Sequence, residues 1–345
     1  MPLIQLEPHL FTSLPRHPDL PGGANTPDLR GFIQAVLLEA QPLLNQFPST
    51  LKPDCKLRSS PPSKAKVKLS RGWRTLQAPQ GSKPKMEFWV CRQSDHQDSN
   101  RLPGTVSLWE FHDGLRYNHA EHEMEYTPSV TSVKQLLKWN EPRQWDSNEP
   151  ITAGNMSYKH FEVELNLIVH TFHPRALIRP RAFISWTVSA TFASSYQATR
   201  VNPDYGFITV QIPFYLTKPI IPGSQYEGIY AQIMDAVPQR VVFAYYASVE
   251  RVELLPPPPT PVSSDVSSSA NLNTPATTAS PERYLRWIMA TTSEAGGKIP
   301  KCVQRNWTLG GVPRAVVGDV GLFIRWVVKR REERRMEQDS QMGEG

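Results

Sequence analysis

By type and spacing, the residues best placed to do chemistry begin with His119-Ala-Glu-His122-Glu123. Two histidines three apart can share a helix face and a metal ion. The zinc-protease patterns place their glutamate differently, however, and no distant third ligand is evident, so the segment reads as structural or capping. His170 and His173 also stand three apart, but at a strand end, where that spacing sends them to opposite faces. Cys302 falls between a turn and a helix without an identifiable base and reads as a small core residue. Glu250-Arg251 is more informative. Strand alternation puts the two on opposite faces, with Arg251 sharing the side of Val249, Phe243 and Tyr245. An arginine among apolar neighbours is costly unless it is paired or meets an anion. Arg251 is therefore a candidate anchor for a ligand head group, the alternative being a partly exposed arginine at a strand end. No phosphate loop, dinucleotide fingerprint, nucleophile elbow or HExxH motif occurs, so neither a metal nor a cofactor is expected.

Positioning such residues needs ordered elements, and the pattern supplies them. Thr26, Pro27 and Asp28 open a helix over 27–47 with one apolar face, which Pro42 should kink or shorten. Residues 48–64 form a Pro/Ser linker. Period-two alternation marks strands at 66–75 and 85–93. Ser107-Leu-Trp-Glu110 is a capping box opening a helix to about residue 121. A strand is expected near 129–139, then a polar loop at 140–157. Further strands are expected at 161–169, 181–193, 206–215, 240–254 and 283–292. Between the last two lies Leu254–Glu282, nearly devoid of aromatic and large apolar residues, so 255–282 is expected to be a disordered insertion within a hairpin loop. A helix from Pro313 to about Glu337 closes the chain, with Val316, Val317, Val320, Phe323, Ile324, Val327 and Val328 on one stripe.

Composition bounds the class. The chain has 345 residues, 39% hydrophobic and 10% aromatic, enough for a sizeable core. Its 33 prolines cluster at 42–62, 174–222 and 256–281 and so mark junctions. Net charge is +6 and the pI about 9.2, with basic runs at 63–74 and 329–335 that read first as solvated faces. Three scattered cysteines make neither a disulfide framework nor a zinc motif. No secretory leader or apolar membrane span is visible, which predicts an intracellular, cytoplasmic protein with reduced thiols.

Four motifs in order carry a resemblance: "GLRYNHAEHEMEYTPSV" (114–130), "RPRAFISWTV" (179–188), "YYASVERV" (245–252) and "WIMATTSEAGGKIPKCVQ" (287–304). The last leads from a strand through a Gly-containing turn and an Ile-Pro into the terminal helix. Together they resemble the START-like (steroidogenic-acute-regulatory-related lipid-transfer) superfamily, and within it an uncharacterised fungal branch, over roughly 80–335. The resemblance implies an α+β helix-grip fold, a curved antiparallel sheet wrapped around a long C-terminal helix. It sets one START-like domain at 24–337 between tails at 1–23 and 338–345. No head-group signature carries over residue by residue.

The implied function is non-enzymatic binding, with intracellular transfer or sensing, of a lipid, sterol or other hydrophobic molecule in a tunnel between sheet and helix. Inward faces then nominate Ile184, Trp186, Val188, Phe243, Tyr245, Leu285, Trp287, Met289, Val320, Phe323, Ile324 and Val327 as lining, with Arg251 as the polar group. A fully filled core would use the same residues. Gly296 and Gly297 could hinge the helix outward for ligand entry, or simply make a tight turn. The basic runs would favour peripheral contact with anionic membranes. Two alternatives stand beside this reading. One is a cyclase- or hydrolase-like enzyme on the same scaffold, for which the sequence offers Glu250, Arg251 and tyrosines. The other is an interaction module using the PPPPTP run of the insertion. A nucleic-acid partner has only net charge in its favour.

Overall fold

A strand buried along its whole length must be covered on both faces, and Arg181–Phe192 is such a strand. The structure, a computed structural model, describes residues 2–22, 25–77, 83–139, 149–172, 178–193, 205–217, 225–256, 282–297 and 299–343. Among them, eight long strands form one antiparallel sheet: β1 (Lys66–Leu76), β2 (Lys85–Gln97), β3 (Val130–Trp139), β4 (Met156–His170), β5 (Arg181–Phe192), β6 (Gly206–Tyr215), β7 (Tyr245–Leu254) and β8 (Tyr284–Glu294). Their spatial order is β1-β2-β8-β7-β6-β5-β4-β3. The β7–β8 hairpin thus sits in the middle, and residues 257–281 of the low-complexity segment lie outside the described residues.

One face carries α1 (Leu29–Thr50), whose Phe32, Ile33, Val36, Leu37, Ala40, Leu44 and Phe47 are buried on the sheet. Asp28, rather than Thr26, caps it by accepting from Gly31 N at 2.9 Å. The helix runs through Pro42 to Thr50, further than expected. Pro42 and Leu38, whose carbonyl loses its helical donor, are both exposed, so water can satisfy that carbonyl. Residues 2–22, expected as a tail, lie on this side too. Leu3 N and Ile4 N donate to Glu39 at 2.6 and 3.2 Å, His9–Leu10 pairs with Phe214–Tyr215, and Ile4, Phe11 and Leu14 are buried. So does α4 (Gln225–Ala236), through Ile229 and Ile233; no helix was expected there, although Tyr226, Ile229, Ile233 and Val237 carry its spacing.

The other face carries α2 (Leu108–Leu115), α3 (His119–Tyr126) and, after the short α5 (Lys301–Gln304), the long α6 (Val312–Gly343). Both halves of the Ser107/Glu110 capping box form. The single helix expected from 107 to 121 instead breaks after Leu115, with Asn118 left-handed at φ 45°. Glu110 also receives Arg331 of α6 in a two-pronged pair at 2.6 Å to each oxygen. At 32 residues α6 is about 48 Å long. Its Val316, Val317, Val320, Phe323, Ile324 and Val327 pack with α2 and with β1, β2, β6, β7 and β8. The expected α+β helix-grip architecture, a long final helix held against an antiparallel sheet, is what the chain adopts.

Candidate functional site

Between the sheet, α3 and the first turns of α6 lies a cavity of about 490 Å³. Leu115, Phe183, Trp287, Met289, Ile299 and Val316 supply much of its apolar wall, and the segment from Ala295 to Val312 rims it. Arg181 and Gln304 fasten that rim. Arg181 Nε donates to Ala295 O at 2.6 Å, while Gln304 accepts from Ala295 N at 2.9 Å and donates to Ile299 O at 2.9 Å.

The sheet face turned toward this cavity is polar. Cross-strand register gives one row of Arg92, Met289, Glu250, Thr209, Ser189 and Glu162, and a second of Thr291, Ser248, Gln211, Thr187 and Glu164. Most of these satisfy one another sideways. Ser189 and Thr209 hydroxyls meet at 2.8 Å, Ser248 donates to Gln211 at 2.5 Å, and Gln211 donates to the Tyr246 hydroxyl at 2.8 Å.

The ionic members are less well satisfied. Arg92 is 1% exposed, donates one N–H to Glu250 Oε1 at 3.1 Å, and stacks 3.9 Å above the Trp287 ring, whose Nε1 donates to the same oxygen at 2.7 Å. Among the described residues its Nε and Nη1 have no hydrogen-bond partner. Burial holds its basicity below the usual guanidinium range. Glu123 of α3 and Asp319 of α6 line the same space, and neither carboxylate accepts a hydrogen bond among the described residues. Burial pushes Glu123 up, and pushes Asp319 to about 7, Arg92 pulling Asp319 down while Glu123 and Glu250 push it further up. Burial also raises the Tyr126 hydroxyl well above its ordinary value. Nearer the rim, His170 is lowered to about 4 by burial and hydrogen-bonds Ser129 at 3.1 Å. Among the described residues no three His, Cys, Asp or Glu side chains are grouped to hold a metal.

Of the residues nominated from sequence, Trp287 and Met289 stand on the cavity wall. Ile184, Trp186 and Val188 face the other way, under α1, where Phe32 meets Trp186 edge-on at 5.0 Å. Phe243 and Tyr245 belong to that outer side as well, bordering a hollow of about 180 Å³ beneath α4. Arg251 reaches α1, donating to Asn45 at 3.1 Å and pairing with Glu253 at 3.3 Å, and the buried arginines that line the cavity are Arg92 and, at its rim, Arg181. Leu285, Val320, Phe323, Ile324 and Val327 are in solid core, Phe323 stacking on Phe111 at 5.3 Å. The turn of α6 before them, with Val312, Ala315, Val316 and Asp319, is the part that faces the cavity. Alternation holds on every one of these strands, and the expected phase holds on β8 but is reversed on β5 and β7, where both residue sets are largely buried.

The histidines of 119–122 close turns: His119 Nδ1 pairs with Leu115 O at 2.8 Å and His122 Nδ1 with Tyr117 O at 2.9 Å. His173 lies outside the described residues. Gly296 and Gly297 are left-handed at φ 62° and 63°. Cys302 is exposed, while Cys91, buried under α1, is pushed up to about 12 by burial. No described helix is long and apolar enough to cross a membrane. Arg92 and Asp319 were not expected from the sequence, and Glu123 was expected only as part of a structural or capping segment. The available signal was a carboxylate, Asp319, interrupting the Val/Phe/Ile stripe of α6.

The model of a family described as "Protein of unknown function (DUF3074)" matches residues 89–327, a span containing all the ionic groups of the cavity. No curated protein matches the chain. Solved structures similar to it include a crystal structure of human STARD10, at 9% identity over 84% of this chain and 81% of that one, with a TM-score of 0.41.

Proposed function

The chain belongs to the DUF3074 family, whose description assigns no activity, and we propose from the cavity that it is a non-enzymatic carrier or sensor holding one amphipathic small molecule between its sheet and its final helix. The observation that carries this is the cavity of about 490 Å³, within the ~300–1,000 Å³ typical of small-molecule sites. Hydrocarbon transferred onto the Trp287, Met289 and Phe183 wall gains ~25 cal/mol per Å². The polar row opposite α6 would take the molecule's other end. Entry is proposed at the rim, with α6 swinging on Gly296 and Gly297, whose left-handed backbone suits a sharp change of direction.

Loading from an anionic lipid surface is supported by the outer side of that rim. Leu309 is 60% exposed there, and Arg305 stacks 4.4 Å from the half-exposed Trp73 ring. The run at 329–335 supports it less, since Arg330 pairs with Glu125, Arg331 with Glu110 and Lys329 with Glu333.

The test is native mass spectrometry of the purified chain together with displacement of an apolar fluorescent dye. We expect a bound small molecule in the wild type, and loss of both signals in Met289→Trp with its circular dichroism preserved. Wild-type protein that carries nothing and ignores the dye would overturn the reading.

A further inference from the structure

Carboxylates from three separate elements converge at the inner end of the cavity: Glu123 from α3, Glu250 from β7 and Asp319 from α6. The cation among them is Arg92, which has committed one N–H to Glu250 and whose guanidinium carbon lies over the Trp287 ring. Three carboxyls against one guanidinium leave a surplus of two negative charges when all are ionised. The other groups facing this end do not cancel it. His119 of α3 spends Nδ1 on Leu115 O, and Tyr126 brings a hydroxyl. Arg181 of β5 donates to the carbonyls of Ala295 and Arg179 at the rim, and His170 stands beside Ser129. A network built only to stabilise the fold would pair its members. Here Glu123 and Asp319 accept no hydrogen bond among the described residues, and Arg92 Nε and Nη1 donate none.

We propose that this inner end recognises a protonated nitrogen, so that the molecule carried is a hydrophobic amine with its ammonium set among Glu123, Glu250 and Asp319 and its hydrocarbon along Trp287, Met289 and Phe183. The proposal rests on the carrier reading above and names the polar chemistry of its ligand. An ammonium brings three donors to a group in which Glu123 and Asp319 accept none among the described residues, and it offsets the surplus charge. The rings of Tyr126 and Tyr246, which line the same space, are of a kind suited to a cation. A carboxylate or phosphate head would meet two like charges more than it could pair, and an alcohol would leave the surplus in place. Burial displaces Glu123 and Asp319 upward and the Glu250 carboxylate pushes both further, so an arriving ammonium should favour their ionised forms.

Dodecylamine, dodecanol and dodecanoate, each competing with the apolar dye on the full chain at pH 8 and pH 5.5, form the test. The expected order at pH 8 is amine, then alcohol, then carboxylate, with the amine ahead by about tenfold or more. Its lead should shrink at pH 5.5, where Asp319 holds its proton. The isosteric variants Asp319→Asn and Glu123→Gln should weaken the amine several-fold and leave dodecanol unchanged. Dodecanol or dodecanoate binding as well as the amine, or an amine advantage indifferent to both variants and to pH, overturns the amine and leaves the carrier reading standing. Failure of all three probes to displace the dye, or of the dye to bind, overturns both.

Discussion

The two faces of the central sheet lie one residue apart along every strand and differ in almost everything else. The row Cys91, Ala290, Val249, Val210, Val188 and Val163 lies under α1 and is apolar throughout. The adjacent row, Arg92, Met289, Glu250, Thr209, Ser189 and Glu162, faces α3 and α6. Under α1 side chains fill the space on the first face; on the second they leave a hollow of about 490 Å³ lined by groups that hydrogen-bond sideways or remain unpaired among the described residues. The apolar row shows where the protein packs against itself. In a strand covered on both sides, the polar row is the better guide to where something else can enter.

The sharpest way to break this contrast is to remove a large side chain from the filled face. Trp186→Ala leaves a cavity beneath Phe32 and should cost ~3–5 kcal/mol in urea denaturation, while dye affinity in the folded fraction stays unchanged. Lost dye binding at full occupancy of the native state would mean that the faces are not independent. On the hollow face the expected penalty is electrostatic. Glu250→Leu removes the carboxylate that meets Arg92 and Trp287, and should cost about 3 kcal/mol because a buried cation is left without its partner. Adding Arg92→Met should restore most of that loss. A double variant as unstable as the single one would show that the pair is not what holds these strands against their neighbours.

A third, smaller effect concerns the join between α2 and α6, the solid end of the same face. A Cβ on Gly114 would stand 2.5 Å from Trp326 Cζ3 and 2.6 Å from Phe323 Cε2. Gly114→Ala should therefore cost ~1–3 kcal/mol through overpacking, read as a fall in melting temperature. A neutral result would mean that α6 can lift from α2 at this point without penalty.

These variants also show what the sequence could and could not disclose. Element order, the capping box at Ser107 and the stripe of α6 were legible because each follows from local spacing. The side that Trp186 and Val188 face was not legible. Period two fixes which residues share a face, but when both sets are buried it cannot say which face meets the long helix. The same ambiguity exchanged Arg251 for Arg92, two positions on strands separated by β8 that point to opposite faces of the sheet. Pro42 misled for another reason, since its effect on a helix depends on whether the orphaned carbonyl is wet. The cavity itself depends on Asp319 and Glu123 converging from α6 and α3, a relation between segments almost two hundred residues apart.

The smallest predicted effect tests whether the hollow face gives up stability for its lining. Asp319 is raised from an ordinary 3.8 to about 7. Between those values the unfolded chain has already released this proton while the folded chain still holds it. Stability linked to this group is therefore complete below pH 4, declines as pH rises, and is lost once pH passes about 7. Asp319→Asn removes the penalty of the buried charge, so its melting temperature should exceed wild type by a few degrees at pH 8 and by less at pH 5. The filled face offers the control, since Trp186→Ala has no charge to titrate and should shift melting equally at both pH values. An Asn variant no more stable than wild type at pH 8 would mean that Asp319 is already compensated, and the unpaired carboxylates could no longer be read as waiting for a cation. A variant that gains stability while losing amine affinity would tie the two observations together, because the group that strains the folded chain would be the one that holds its guest.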